Sequence, residues 1–344
     1  MADRSKIEWT DASWNPIRAR GKETGKIGWH CEHVSPGCAH CYAESINQRL
    51  GTGLEFKPGH QNSGEIEIFL DENMLTRPLR WRKPRKIFIG SMTDLFARFV
   101  TKEMLDRIFT VIALTPQHTY QVVTKRADRM RDYCVRTSRN TINGHIWSML
   151  GTPEGSKIKR SGNWQVNWPL PNVWLGVSAE RQDEADERIP LLLQAPAAVR
   201  FVSLEPLLGP INLASINHCG VVSGHSALHD RGLGQLDWVI VGGESGPGAR
   251  SMHPEWARSL RDQCAAASVP FFFKQWGEWI PSDPQSACGN PRSGWMPLRG
   301  NAKRSYPKEE LYPENGAAFV EPVGKAKAGR LLDGVEHNGF PTRT

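Results

Sequence analysis

Short apolar runs recur along the chain, and each is apolar at both odd and even positions: Lys86–Gly90, Thr119–Thr124, Asn172–Ser178, Val199–Leu204, Asp237–Val241 and Val269–Lys274. A strand with one face in water alternates. A strand apolar on both parities is covered on both faces, as in a parallel sheet under helices. A further strand is expected near Ile7–Trp14. Helical periodicity fills the intervals. Thr101 is placed to cap a helix whose stripe is Met104, Leu105, Ile108, Phe109 and Ile112, with Pro116 as its stop. Asp183–Ile189 is helix-compatible, and Pro190 is expected to begin a second short helix. Pro254 suits the first turn of a helix carrying Trp256, Leu260, Cys264 and Ala267, and Ala43–Leu50 forms a short helix.

Strand and helix alternating at this pace predict an α/β chain with a parallel sheet or a partial (β/α) barrel. The barrel is expected over 1–280, with a polar insertion at about 134–170. Residues 281–344, rich in Pro, Gly and Lys, are expected to be an irregular C-terminal extension.

Hydrophobic residues are 39% and charged residues 23%, which excludes a wholly disordered chain. No apolar run approaches the ~20 residues that span a bilayer, so no membrane partner is expected. The N-terminus lacks the apolar core of a secretory leader. Seven cysteines, an odd number in a long chain, argue for a reducing, cytoplasmic setting. The net charge of +7 admits a nucleic acid or nucleotide partner without requiring one.

Three of the cysteines, Cys31, Cys38 and Cys41, fall in one loop with the spacing C-x6-C-x2-C, and Pro36-Gly37 supplies a turn between them. Three readings stay open. The thiols are core residues; or they bind structural zinc with His30, His33 or His40 as fourth ligand; or they hold three irons of a [4Fe–4S] cluster and leave the fourth iron open. Zinc sites usually draw on two ligand pairs, and only one C-x2-C pair exists here.

Chemistry in a parallel barrel gathers at the C-terminal strand ends. Those ends carry Ser91, Thr93 and Asp94; Lys125 and Arg126; Ser178 and Glu180; Ser203 and Glu205; Gly242, Gly243 and Glu244; and Lys274. Lys125, Glu180, Glu244 and Lys274 are the candidate catalytic residues. The bland alternative is an ion-pair network of Asp94, Glu180, Glu205 and Glu244 with Lys125, Arg126 and Lys274. The segment Arg77–Lys86 holds six basic residues in ten around Trp81, a composition that suits phosphate contact and base stacking or, blandly, a solvated loop. Lys157, Lys159 and Arg160, flanked by Trp147, Trp164 and Trp168, add positive charge in the insertion.

The blocks IEWTDASWNP, VSPGCAHCYAE, IGSMTDLF, VWLGVSAE, RFVSLEPLLGPI, DWVIVGGESGPGAR and FFFKQWGEW resemble a phage- and mobile-element-associated family of three-Cys-motif proteins. That family is similar to radical S-adenosylmethionine (SAM) enzymes, closest in flavour to spore photoproduct lyase. Those enzymes use C-x3-C-x2-C, so the first gap here is longer, and Ile17–Trp29 reads as an insertion before it. The resemblance implies a radical-SAM type of barrel and a [4Fe–4S] cluster on Cys31, Cys38 and Cys41. It implies SAM as cosubstrate, cleaved to a 5′-deoxyadenosyl radical by an electron from a reductant, and a separately encoded partner protein. It names no substrate; the basic stretches favour a nucleic acid or nucleotide. By the same resemblance His40, Ser91, Asp94, Ser178, Glu205, Gly242 and Gly243 are candidate SAM contacts. The alternative is a non-catalytic, metal-stabilised nucleic-acid-binding protein.

Overall fold

The computed structural model describes residues 5–151, 166–218, 221–229, 234–285, 290–299 and 307–342. Lys157, Lys159, Arg160, Trp164, Cys219 and Cys288 lie outside the described residues. The fold is mixed α/β. Its main sheet has seven strands: β1 (Ala12–Trp14), β2 (Lys86–Ile89), β3 (Thr119–Thr124), β4 (Val173–Ser178), β5 (Val199–Leu204), β6 (Trp238–Gly242) and β7 (Phe271–Gln275). They are hydrogen-bonded in chain order, with β1 and β7 as edges, an open order compatible with a partial barrel. The pairs β1–β2, β2–β3, β5–β6 and β6–β7 are parallel. The apolar pattern on both parities has the expected cause, since every residue of β4 and β6 is buried.

The chain folds as two compact units. The first comprises Met1–Val34, Cys41–Gly176 and Gln194–Val199. Trp14, Ile87, Ile89, Tyr120 and Phe109 fill its core. Five helices were expected across the chain; this unit carries α1 (Tyr42–Leu50), α2 (Lys102–Ala113), α3 (Ala127–Arg136) and α4 (Arg139–Leu150). The Thr101 side chain accepts from Met104 N, and Leu105, Ile108, Phe109 and Ile112 are buried, as the periodicity predicts. The expected polar insertion opens with helix: Cys134 belongs to α3, and Ser138 caps α4. The segment before the first cysteine is a small antiparallel sheet, Ile17–Gly21 between Ile27–Gly28 and Ile66–Leu70.

The second unit comprises Ser35–His40, Val177–Leu193 and Arg200–Thr344. Its core centres on Trp238, with Phe201 at 5.4 Å and Phe340 at 4.8 Å between ring centroids. The helix expected to break at Pro190 does not: α5 runs from Gln182 to Gln194 through the proline. Ile189 and Leu192, on either side of it, are both fully buried. Their shared packing outweighs the one lost backbone hydrogen bond. α6 (Pro254–Ala266) follows β6 as expected. In the C-terminal region, Ala318–Pro322 pairs antiparallel with Trp279–Pro281 and Gly294–Met296. The last residues return to the core, where Trp238 Nε1 donates to Gly339 O at 2.7 Å. Among the described residues no helix is long and apolar enough to cross a membrane.

His253 ties α6 to this C-terminal region. Its Nδ1 accepts from Glu255 N at 3.2 Å, and its Nε2 donates to Gly316 O at 3.0 Å. Burial holds its pKa below the usual imidazole value. The unfolded chain therefore binds this proton more readily, and the stability it confers is complete above about pH 6.5 and falls as the pH drops below that. His253→Asn keeps an acceptor for the Glu255 cap and removes the titrating group. Urea unfolding between pH 7 and 5 should show a shallower loss of stability in this variant than in the natural protein.

Candidate functional site

In the first unit the approach to Cys31 is held by a buried amide that the sequence alone did not single out. Asn47, in α1, accepts from Trp29 N at 2.9 Å and Thr52 N at 3.2 Å. It donates to Thr52 Oγ1 at 2.8 Å and Leu54 O at 2.9 Å. Every hydrogen-bonding position of the amide is thereby used, which locks the chain two residues before Cys31 to the helix that follows Cys41. Cys31 and Cys41 pack against one apolar group, Ala43, Phe56 and Met92. Cys41 is the N-cap of α1 and its thiol makes no capping bond, so the partial positive charge of a helix start lies beside it.

Met92 and Asp94 belong to the loop that leaves β2. Gly90 opens this loop at φ 75°, where a side chain would be strained. Asn15, just past β1, donates to Ser91 Oγ at 2.9 Å and accepts from Met92 N at 3.0 Å. Tyr42 OH donates to Ser91 O at 2.6 Å. Asp94 accepts from Thr124 Oγ1 at 2.7 Å, Phe96 N at 2.9 Å, Lys125 N at 2.9 Å and Arg126 Nη1 at 3.0 Å. The other arm of Arg126 reaches Glu32 Oε2 at 3.1 Å. Glu32, Arg126 and Asp94 are all nearly sealed from water. The neighbour of Cys31 is thus pinned to the C-terminal ends of β2 and β3. Burial first, and the Asp94 carboxylate second, push the Cys31 thiol up to about 12; Arg126 opposes them.

In the second unit Cys38 closes a 3₁₀ turn, Pro36–Cys38. Two buried ion pairs hold this turn. Ser35 Oγ donates to Glu180 Oε1 at 3.0 Å, and Glu180 pairs with Arg188 at 3.3 Å with both side chains buried. Arg188 also donates to Ser178 O at 2.7 Å. Gly37 lies so close to Glu180 that any Cβ there would strike the carboxylate. From the other side Arg250 donates to Pro36 O at 3.0 Å while its guanidinium grips both oxygens of Glu244, at 2.5 and 2.8 Å. His40 packs against Gly248 in the same loop. Beyond the turn, Lys274 pairs with Glu205 Oε1 at 2.9 Å and Ser203 Oγ donates to Glu205 Oε2 at 3.0 Å. Ser178 Oγ donates to Glu205 O at 3.4 Å. Gly242 lies against the Glu205 carboxylate and Gly243 against the Trp276 carbonyl, both too closely for a side chain.

The strand-end acids are therefore each ion-paired: Asp94 with Arg126, Glu180 with Arg188, Glu205 with Lys274 and Glu244 with Arg250. Arg188 and Arg250 were not anticipated. Arg188 did leave a signal, for it sits on the same helical stripe as Ala185, Ile189 and Leu192. The five described cysteines are all free thiols. Among the described residues no group of three or more His, Cys, Asp or Glu side chains is arranged to hold a metal ion.

A family model described as a protein of unknown function (DUF5131) matches residues 4–341. No curated protein and no solved structure matches the chain.

Two outcomes follow from the buried charges. Arg126→Met leaves Glu32 and Asp94 without their cation and should lower stability in urea unfolding by about 3–5 kcal/mol, with Arg126→Lys restoring part of it. In metal-free protein at pH 8, Cys31 should react with iodoacetamide at least about a hundredfold more slowly than an unstructured cysteine, because its thiolate is scarce. Peptide mapping by mass spectrometry reads both rates.

Proposed function

The chain belongs to this family of unknown function, and we propose that it is an iron–sulfur, radical-SAM-like enzyme acting on a nucleic acid or nucleotide-type substrate. One observation carries the reading. In each unit the cysteines are held against C-terminal strand ends: Cys31 and Cys41 beside the loop after β2, and Cys38 by the acids after β4 and β6. That is where a parallel α/β fold concentrates its chemistry.

The donor set fits a cluster. Cys31, Cys38 and Cys41 form no disulfide and offer thiols, the soft ligands that iron–sulfur clusters take. Burial and Asp94 hold the Cys31 thiol protonated, and this side chain would have to give up its proton to hold a metal. When bound, the cluster supplies one-electron reduction of SAM, whose C–S bond breaks to give a 5′-deoxyadenosyl radical.

The chain's own residues take defined parts in this reading. Glu180, Arg188, Glu244 and Arg250 are positioning residues, because their polar atoms are engaged with each other and with the turn that carries Cys38. Asp94 is likewise a positioning residue, with four donors on its carboxylate. Its side chain sets the field beside Cys31. Glu205 and Lys274 keep side-chain exposures of 12% and 18%, and of the four strand-end acids Glu205 is the least sealed, so this pair is assigned to contact a bound molecule. Ser91 and His40 offer a hydroxyl and an imidazole for SAM, whereas Gly242 and Gly243 are held against Glu205 and Trp276, and the Ser178 hydroxyl is spent on Glu205 O.

Protein purified without oxygen should carry about four irons and matching sulfide per chain, give an EPR signal after dithionite, and release 5′-deoxyadenosine from SAM. Cys38→Ala should lose the iron. Cys264→Ala should keep it, since that thiol is buried within α6. Equal iron in both variants overturns the ligand assignment. Stoichiometric zinc without iron establishes a metal-stabilised binding module in its place.

A further inference from the structure

The proposed site leaves the basic stretch Arg77–Lys86 unused, and the structure puts that stretch at the other end of the first unit's strands. Lys86 is the first residue of β2, and Thr119, the first of β3, donates its N–H to Arg85 O at 2.9 Å. Asp94, Lys125 and Arg126 follow the opposite ends of the same two strands. At about 3.3 Å per residue the two regions lie on the order of 15 Å apart along the strands.

Arg77–Arg80 form a 3₁₀ turn, in which residues three apart eclipse, so Arg77 and Arg80 share a face. Arg80, Arg82 and Lys83 are exposed. Among the described residues none of these three has an ion-pair partner. Trp81, which composition alone offers as a platform for bases, is already engaged. The Arg85 guanidinium lies 4.7 Å from its centroid, Arg77 lies at 5.9 Å, and His118 meets it edge-on at 6.0 Å. The ring spaces and orients arginines.

We infer that Arg77–Lys86 is a docking surface for nucleic acid that grips the phosphate backbone and does not read bases. Six cations follow one another within ten residues of the chain with no acid among them, and Arg80, Arg82 and Lys83 stand exposed in this row. A compact anion is recognised by converging donors; a row matches an anion that repeats along a polymer. Four of the six are arginines, whose planar fork fits phosphate oxygens. The nearest strand-end acid, Asp11, is tied down by Lys86 N at 2.7 Å. The inference deepens the proposed function by giving the polymer substrate a docking place, but binding at the row does not require the cluster.

The test is fluorescence anisotropy of labelled oligonucleotides with the full chain. Arg80→Glu/Arg82→Glu/Lys83→Glu should bind at least about tenfold more weakly at moderate salt, and its log–log salt slope should be shallower by about 2 to 3, at ~0.7–0.9 per lost contact. Its iron content should match that of the natural protein. Cys38→Ala should bind as the natural protein does, which separates failure of the docking surface from failure of the cluster. Oligo-dA and oligo-dT of equal length should bind within about threefold of each other, since base stacking is not used. Unchanged binding by the triple variant overturns the inference. So does competition by polyglutamate as effective as by unlabelled oligonucleotide, which points to an acidic protein partner.

Discussion

A carboxylate cannot stay ionised in a protein interior without a cation close by, and this constraint organises everything around the cysteines. Burying one charge alone costs several kcal/mol, while a well-made pair with further hydrogen bonds is tolerated. Each strand-end acid solves this with an arginine or lysine from its own unit. The solutions are not interchangeable. Arg126 spends its two arms on acids from two segments, one adjoining Cys31 and one following β2. Arg250 spends its guanidinium on Glu244 and on a backbone carbonyl of the Cys38 turn. Charge compensation and loop placement are therefore one event, and neither loop can move without exposing an acid to an unpaired interior.

Five strands, β3 to β7, were readable because burial on both faces leaves a continuous apolar run, whereas β1 and β2 are buried at alternate residues only. The capped helix after β2 was readable for the same reason: Thr101 and a buried stripe agree. Pro190 misled because the rule it follows is local, whereas the packing of Ile189 and Leu192 that overrides it is not. The acids at the strand ends were visible from their positions, but their partners were not. Arg188 comes from the following helix and Arg250 from the far side of a glycine loop, distances that no spacing encodes. Asn47 was invisible in a different way. An asparagine in a short helix looks like surface, and only the folded chain shows that all its hydrogen bonds point inward.

The same pairing changes how the strand-end residues are weighed. A group engaged by three or four donors is a poor acid or base, since moving its proton breaks several bonds at once. By that standard Asp94 and Glu244 belong to the scaffold, and Glu180, with two donors, joins them because its side chain is fully buried. Glu205 and Lys274 differ in being less sealed, with the lysine contributing a single contact to the pair. Sealed and less sealed groups thus carry similar residue types at equivalent strand positions, and exposure separates them where identity does not.

A parallel sheet also separates tasks by its direction. All C-terminal ends lie on one side, where loops converge and close groups can be assembled; the N-terminal ends lie on the other. In the first unit the sealed network of Glu32, Asp94 and Arg126 occupies the former, and the open row from Arg77 to Lys86 occupies the latter. Both are rich in arginine, yet their electrostatics are opposite in character. Inside, the one Arg126 guanidinium is more than matched by the Glu32 and Asp94 carboxylates and offers no net positive field. Outside, Arg80, Arg82 and Lys83 are exposed and have no ion-pair partner among the described residues, so their charges add. Long-range attraction of a polyanion needs the second kind and is cancelled by the first. On the proposed reading, the basic stretch therefore acts at the end of the first unit's strands opposite Cys31.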